Sequence, residues 1–369
     1  MSLQKMKLET IVVQEKNFPR FYTKERAERW AEEIPLYAIK NPHNPEWEAT
    51  PLIPADLRPE YGQVLIKDES VNPTGTIKDR AMWEVAKLYG KQARLLLSTT
   101  KKHSSLEFYP IPRFSIFSAG NAAVAAARVF DKYGLPPIKV LLDQNTTAKM
   151  VEELKKEHAD IYLADLSTPL NARAIKVLTN NPNGIDITST SSFRPDTVLY
   201  DWHFHEVINV SPDHVFTPYG SGRLFENYVR WQESSLTNEI NRLRDPRLKI
   251  PIDNLIRINI FGAEPRKIVK SLADKLTARY KPFKILNEED IKDMIHLRYS
   301  GRKTRVYPVE EERIVEARNI LSSFCQTTYS GAAGLALYMQ QWDNHRIKPG
   351  EKVVIVNTGR SCLKINQDK

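Results

Sequence analysis

The chain has 369 residues, a length that suggests about two domains, and its 41% hydrophobic and 27% charged residues exclude a disordered or fibrous polypeptide. Its formal net charge of +9 points toward anionic ligands, yet basic residues alternate with acids, as in Glu152-Glu-Leu-Lys-Lys-Glu157 and Glu310-Glu-Glu-Arg-Ile-Val-Glu316, and no aromatic-interleaved basic run argues for nucleic acid. The sequence has no apolar run near the ~18 residues of a membrane span, no leader-like core beside Lys5, Lys7 and Glu9, and two cysteines, Cys325 and Cys362, read as reduced. A cytoplasmic protein without membrane or metal partners is therefore expected.

The first informative stretch is Lys67-Asp-Glu-Ser-Val-Asn-Pro-Thr-Gly-Thr-Ile-Lys-Asp-Arg80. Val64 to Ile66 reads as a strand end, Asn72 to Gly75 as a turn, and Asp79 to Tyr89 as a helix with Met82, Val85, Ala86 and Tyr89 on one face. Lys78 thus sits at a helix N-terminus. The positive end of the helix dipole, and a neighbouring cation such as Arg80, favour the neutral amine that a nucleophilic lysine needs. A solvated surface lysine fits the same pattern.

Phe114, Ile116 and Phe117 then lead into Ser118-Ala-Gly-Asn121 and an alanine-rich helix through Arg128. Backbone N–H groups at such a helix start can bind an anion; a plain Ser/Asn cap is the alternative. Ile138 to Leu142, Thr147 to His158 and Ile161 to Leu163 form a strand, a helix and a strand. In the segment Tyr200 to Ile208, His203 and His205 are two apart and would face different sides of a helix, which favours surface or partly buried packing over metal ligation. Val215 to Thr217 reads as a buried strand that feeds Pro218-Tyr-Gly-Ser-Gly-Arg-Leu224, where Gly220, Ser221, Gly222, Arg223 and Leu224 can offer N–H groups to a phosphate. No G-x-G-x-x-G is complete, so a dinucleotide fingerprint is excluded. Ile256 to Phe261 reads as a strand, and Val353 to Val356 as a buried parallel strand with Thr358 at its carboxyl end, where open α/β sheets meet ligands. The alternation predicts parallel sheets covered by helices.

In order, these landmarks resemble those of the fold type II pyridoxal-phosphate enzymes, and the lysine motif is most similar in wording to that of threonine synthases. Thr76 and Ile77 stand in place of that motif's usual Ser and Phe. Asn357-Thr-Gly-Arg-Ser-Cys-Leu-Lys364 is similar to the Thr-Gly-x-Gly-Leu-Lys ending of that group; Gly262-Ala-Glu-Pro265 and Gly331-Ala-Ala-Gly-Leu335 match further segments. The resemblance covers roughly residues 50 to 364. It implies pyridoxal 5′-phosphate joined to Lys78 as a Schiff base, its 3′-hydroxyl held by Asn121, its phosphate by Gly220 to Leu224, and its ring nitrogen by Thr358. It further implies that Ser118, Ala119, Gly120 and Asn121 bind the substrate α-carboxylate. The fold implied is α/β, with a smaller inner domain over 68–185, a larger one from 1–67 and 186–369, and the cofactor in the cleft between them. A homodimer is implied as the default assembly.

Several departures bear on activity. Arg223 replaces a usual third glycine, and Thr328-Tyr329-Ser330 stands where threonine synthases have Glu-Pro-Ala, removing an acidic residue. Arg360-Ser-Cys362 alters the turn after Thr358, and the usual Gly-Gln is absent near Tyr200 to Ile208. Two insertions, 98–113 and 225–254 with Trp231, suit a lid, a subunit contact or solvated loops. The expectation is elimination or replacement at Cβ or Cγ of an amino acid carrying a leaving group, with Lys78 as general base after it is displaced. Threonine-synthase-like chemistry stands first. Cysteine-synthase-like β-replacement, dehydratase-like β-elimination, and a cofactor-binding protein with weak turnover are the alternatives. Lys149, Arg113 and Arg223 are candidate cations for a phosphate-bearing substrate.

Overall fold

The computed structural model describes residues 24–33, 49–57, 61–100, 113–118, 120–166, 170–188, 199–236, 251–266, 271–277 and 305–361. The chain divides into two compact units, one of Met1–Leu36, Ala81–Thr197 and Cys362–Lys369, the other of Tyr37–Arg80 and Val198–Ser361.

The second unit is built on a six-stranded sheet. In chain order its strands are β1 (Leu52–Ala55), β2 (Val64–Asp68), β7 (His214–Pro218), β8 (Asn259–Pro265), β9 (Arg305–Val309) and β10 (Val353–Asn357), arranged β1-β2-β10-β7-β8-β9. Only edge strand β1 runs antiparallel to its neighbour; the other pairings are parallel. The unbroken run Val353-Val-Ile-Val356 is buried throughout, as expected of a central parallel strand with both faces covered. Helix α10 (Tyr329–Asp343) packs against β7, β8 and β10, and its Leu335, Leu337 and Tyr338 join Ile66, Phe216, Phe261 and Ile355 in one core. Phe216 stacks on Phe261 at 4.7 Å, and the buried Tyr338 hydroxyl donates to Tyr61 O at 2.6 Å. Helix α9 (Glu311–Leu321) lies against α10.

The first unit holds a parallel sheet of β3 (Phe114–Phe117), β4 (Lys139–Asp143), β5 (Asp160–Ala164) and β6 (Ile185–Asp186), in the order β5-β4-β3-β6. Helices α3 (Asn121–Lys132), α4 (Ala148–Lys156) and α5 (Ala172–Leu178) accompany it. β4, α4 and β5 are the strand, helix and strand read from residues 138 to 163. The alanine run of α3 is buried from Ala123 to Ala127, small side chains giving a close-packed face. Trp30 of α1 (Lys24–Glu33) meets Tyr89 edge to face at 5.7 Å.

Four expectations need correction. The helix after Lys78 does not end near Tyr89: α2 spans Lys78–Thr100, because Lys91 to Leu97 continue with good helix formers and Ala93 stays buried. Residues 98–100 of the first insertion belong to it, and 101–112 lie outside the described residues. The strand read at Ile256 to Phe261 is present but starts later: Ile256 and Arg257 end a short helix, α8 (Ile252–Arg257), and β8 begins at Asn259 and runs through Gly262-Ala-Glu-Pro265. A short apolar run has no decisive period, and here Pro251 starts a helix whose end is closed by the Gln232 amide on Leu255 O and Ile258 O at 3.1 and 2.7 Å. The helix expected after the glycine loop, near Leu224, is α7 (Arg223–Leu236), and it runs into the second insertion; residues 237–250 lie outside the described ones. Trp231 is not a lid residue. Its indole donates to Asp201 at 2.6 Å and stacks on Phe204 of α6 (Asp201–Ile208) at 5.2 Å. Finally, His203 and His205, expected at the surface or partly buried, are both fully buried.

Candidate active site

Three neighbouring parallel strands open at one sheet edge. β10 lies between β2 and β7, so the segments that follow them, carrying Lys78, Thr358 and Gly220 to Leu224, leave from the same carboxyl-end edge. The sequence order separates these segments widely; the parallel register brings them together.

The Lys78 turn is held from within and from outside. Gly75 N donates to Asn72 O at 2.7 Å, Thr74 N to an Asp79 carboxylate oxygen at 2.8 Å, and Lys78 N to Thr76 Oγ1 at 3.2 Å. Ile77 N then donates to Thr358 O at 3.1 Å, Arg360 N to Gly75 O at 2.9 Å, and Thr76 and Gly359 form an antiparallel bridge. The turn that presents the lysine and the turn that presents Thr358 are therefore one hydrogen-bonded unit. Gly359 makes this contact possible: its φ is +110°, and a Cβ there would fall 2.2 Å from Gly75 O. The buried Asn357 side chain braces the same place. Its amide donates to Asp68 at 2.9 Å, to Gln326 O at 2.9 Å and to Cys325 Sγ at 3.2 Å, while its carbonyl accepts from Thr327 Oγ1 at 2.9 Å and Gly359 N at 3.2 Å. Burial, with Asp68 nearby, pushes the Cys325 thiol up to about 12, so it stands here as a neutral thiol.

Lys78 itself is partly buried, and its Nζ lies 3.2 Å from the hydroxyl of Tyr200, a buried residue directly before α6. No sequence motif marks Tyr200; its proximity arises only in three dimensions.

Beside this pair, a buried ion cluster within the second unit joins Arg80 to Glu206 of α6. Arg80 Nε donates to Glu69 at 2.7 Å, and its two terminal nitrogens reach Glu206 at 2.8 and 2.7 Å and Thr50 Oγ1 at 2.9 Å. Lys67 Nζ donates to Glu206 at 2.5 Å. Burial would raise the Glu69 and Glu206 carboxyls, but Arg80 above all outweighs it and holds both below the usual carboxylate range. Burial lowers His203 to about 3; it is a neutral imidazole 3.8 Å from Glu69 and 3.1 Å from the Tyr228 hydroxyl, not an ion-pair partner. The idea of Arg80 as a cation assisting Lys78 is thus corrected: two carboxylates already compensate its charge.

After β7, Tyr219 N donates to Ala263 O at 2.7 Å, and the loop turns through Gly222 at φ +87° into α7, whose first bond runs from Glu226 N to Gly222 O at 2.8 Å. The residues from Gly222 onward thus form a helix start with first-turn N–H groups beyond any intrahelical carbonyl, the chemistry of a phosphate cradle. Arg223 opens α7 and is partly exposed; Leu224 is buried. A lysine amine, an anion cradle and a hydroxyl on three adjacent strand ends fit the aldehyde, phosphate and ring nitrogen of pyridoxal phosphate.

The first unit carries the other predicted loop. Ser118 and Gly120 follow β3, Gly120 N donates to Ser118 Oγ at 3.4 Å, and α3 begins at Asn121. Ala119 lies outside the described residues. Arg113 is not placed to serve a substrate phosphate at this loop. It precedes β3, at the opposite end of the strand, and its guanidinium is taken by Asp160 and by Pro137 O at 2.8 Å. Lys149 is exposed in the first turn of α4. In the second unit Thr328 Oγ1 accepts Gly331 N at 3.1 Å, so the residue at the missing acid's position caps α10, and Ser330 is buried.

The chain belongs to the pyridoxal-phosphate dependent enzymes: the model of that family matches residues 44–359. Its fold is that of the fold type II group. A pyridoxal 5′-phosphate-dependent aspartate racemase is similar with a TM-score of 0.61 at 14% identity, over 95% of this chain and 99% of that one. Maize serine racemase follows at 0.58 and 18%, over 85% and 88%, and the processed form of threonine deaminase isoform 2 from Solanum lycopersicum at 0.59 and 15%, over 97% and 94%. None of the curated proteins matches the chain.

Proposed function

We propose that the protein catalyses elimination or replacement at Cβ or Cγ of an amino acid that carries a leaving group. The observation that carries this reading is the shared turn: the lysine backbone and the Thr358 backbone are joined by the Ile77 N to Thr358 O bond. When bound, pyridoxal phosphate supplies an aldehyde for amine exchange and a conjugated ring that takes up the electron pair left by the α-proton. Lys78 Nζ would hold the aldehyde, and as a free amine it would serve as general base toward the α-proton. Gly220 to Leu224 would hold the phosphate; the family resemblance assigns the ring hydroxyl to Asn121 and the substrate carboxylate to Ser118 to Asn121. Thr358 would offer a hydroxyl to the ring nitrogen. A neutral hydroxyl does not force protonation there, which favours departure of a leaving group over transamination.

The wording of the lysine motif supports a threonine-synthase-like reaction on a phosphohomoserine. A β-replacing or β-eliminating enzyme is the second reading, supported by Thr328, whose hydroxyl is spent on a helix cap where that group has a carboxylate. Purified protein loaded with cofactor, given O-phosphohomoserine, O-phosphoserine, O-acetylserine, serine or threonine in turn, is expected to release the leaving group from one of them and to form threonine, a replacement product, or a keto acid with ammonia. Inversion of the α-carbon without leaving-group loss across the whole panel would contradict the proposal, and the racemases of similar fold make that outcome a meaningful one.

A further inference from the structure

The Tyr200 hydroxyl has no part in the chemistry described so far. It stands 3.2 Å from Lys78 Nζ, and the amine lies 5.8 Å from the centre of the same ring. The tyrosine is 2% exposed, so its hydroxyl is not a surface group that happens to pass the lysine. Both partners are fixed by the ion cluster. Lys78 is two residues before Arg80 on α2, Tyr200 is six before Glu206 on α6, and two guanidinium bonds of 2.8 and 2.7 Å join Arg80 to Glu206. At the start of α6, Asp201 is further held by Trp231 at 2.6 Å.

We infer that Tyr200 keeps the Lys78 amine aimed and hydrogen-bonded in both of its protonation states, an inference that rests on Lys78 being the cofactor lysine. A phenol donates to the lone pair of a neutral amine and accepts from an ammonium, so one hydroxyl serves both. When Nζ uses its lone pair to take a proton, the hydroxyl turns from donor to acceptor and no proton passes to the tyrosine. The ring face adds attraction for the ammonium. Phenylalanine keeps the ring and removes both hydrogen bonds. The charged groups of the packed elements are engaged elsewhere: Asp79 with Thr74 N, Glu69 and Glu206 with Arg80, His203 with Tyr228, Asp201 with Trp231, while His205 packs on Trp231 at 4.6 Å.

The test uses the full-length protein freed of cofactor and follows the rate at which added pyridoxal phosphate is captured, by absorbance across pH, with borohydride trapping and peptide mapping to place it on Lys78. The Tyr200→Phe variant, with its unfolding temperature measured alongside, is expected to capture at least tenfold more slowly. A second variant with 3-fluorotyrosine at position 200 keeps the ring and hydroxyl and decides the matter if the first does not fold. The fluorine makes the hydroxyl a better donor and a poorer acceptor, which favours the neutral amine, so the pH midpoint of capture should move down. A folded Tyr200→Phe protein with an unchanged rate, or a fluorinated protein with an unchanged midpoint, would overturn the inference and leave the functional reading intact. Failure of the unsubstituted protein to capture the cofactor on Lys78 would overturn both.

Discussion

Gly359 shows how much of the site depends on single backbone positions. Its left-handed φ of +110° and the 2.2 Å approach of a Cβ to Gly75 O leave no room for a side chain, and that approach is what lets the Thr358 turn lie on the Lys78 turn. Gly359→Ala is expected to cost about 1–3 kcal/mol in denaturant unfolding. Cofactor affinity should weaken as well, because the substitution pushes Thr358 and Ile77 apart. Unchanged affinity would mean that the two turns are not functionally joined. Asn357 was invisible as a site residue in the sequence, where it is one polar residue after four apolar ones; its five polar contacts come from segments as distant as Asp68 and Gln326. Lys78 and Thr358, by contrast, are candidates already in the sequence, because each stands beside a turn motif, and the structure joins those two turns by hydrogen bonds.

At the scale of elements, α6 is the piece that sequence reasoning described least well. Its histidines read as surface or partly buried and are fully buried, and its Glu206 carries no signal, because a carboxylate in a helix is ordinarily solvated. Only the fold brings Glu206 to Arg80 and Lys67, which themselves lie either side of the lysine turn. Removing the carboxylate in Glu206→Ala leaves two buried cations short of a partner and is expected to cost about 3–5 kcal/mol of stability. Glu206→Gln, which keeps acceptors for Arg80, should cost less; the two can be ranked by chemical unfolding. Equal, negligible losses would show that the cluster does not hold α6. The parallel strands were readable because buried parallel strands are continuously apolar, as at Val353 to Val356. The strand at Ile256 to Phe261 is legible except for its start, because a short apolar stretch is compatible with either period and the helix before Asn259 is closed by the distant Gln232.

For the molecule as a whole, the buried cluster predicts sensitivity to acid. His203 is lowered from 6.5 to about 3 by burial, so between those values the unfolded chain binds a proton that the folded chain refuses. Its contribution is complete above about 6.5 and is lost as pH falls toward 3. Glu69 and Glu206, held below their ordinary 4.5 by Arg80 against the cost of burial, have the same sign and add their loss below about pH 4.5. The unfolding temperature should therefore drop by a few degrees from pH 7 to pH 5, and a folded His203→Gln protein should show a flatter dependence in that interval. A wild-type protein equally stable at both values would contradict the assignment of a neutral buried His203. The most direct test of the central claim is the visible spectrum of the protein with pyridoxal phosphate, recorded for wild type and Lys78→Ala before and after borohydride. The account predicts a Schiff-base band that borohydride fixes covalently to the Lys78 peptide and that the variant lacks. A band that persists in the variant, or cofactor trapped on another lysine, would contradict it.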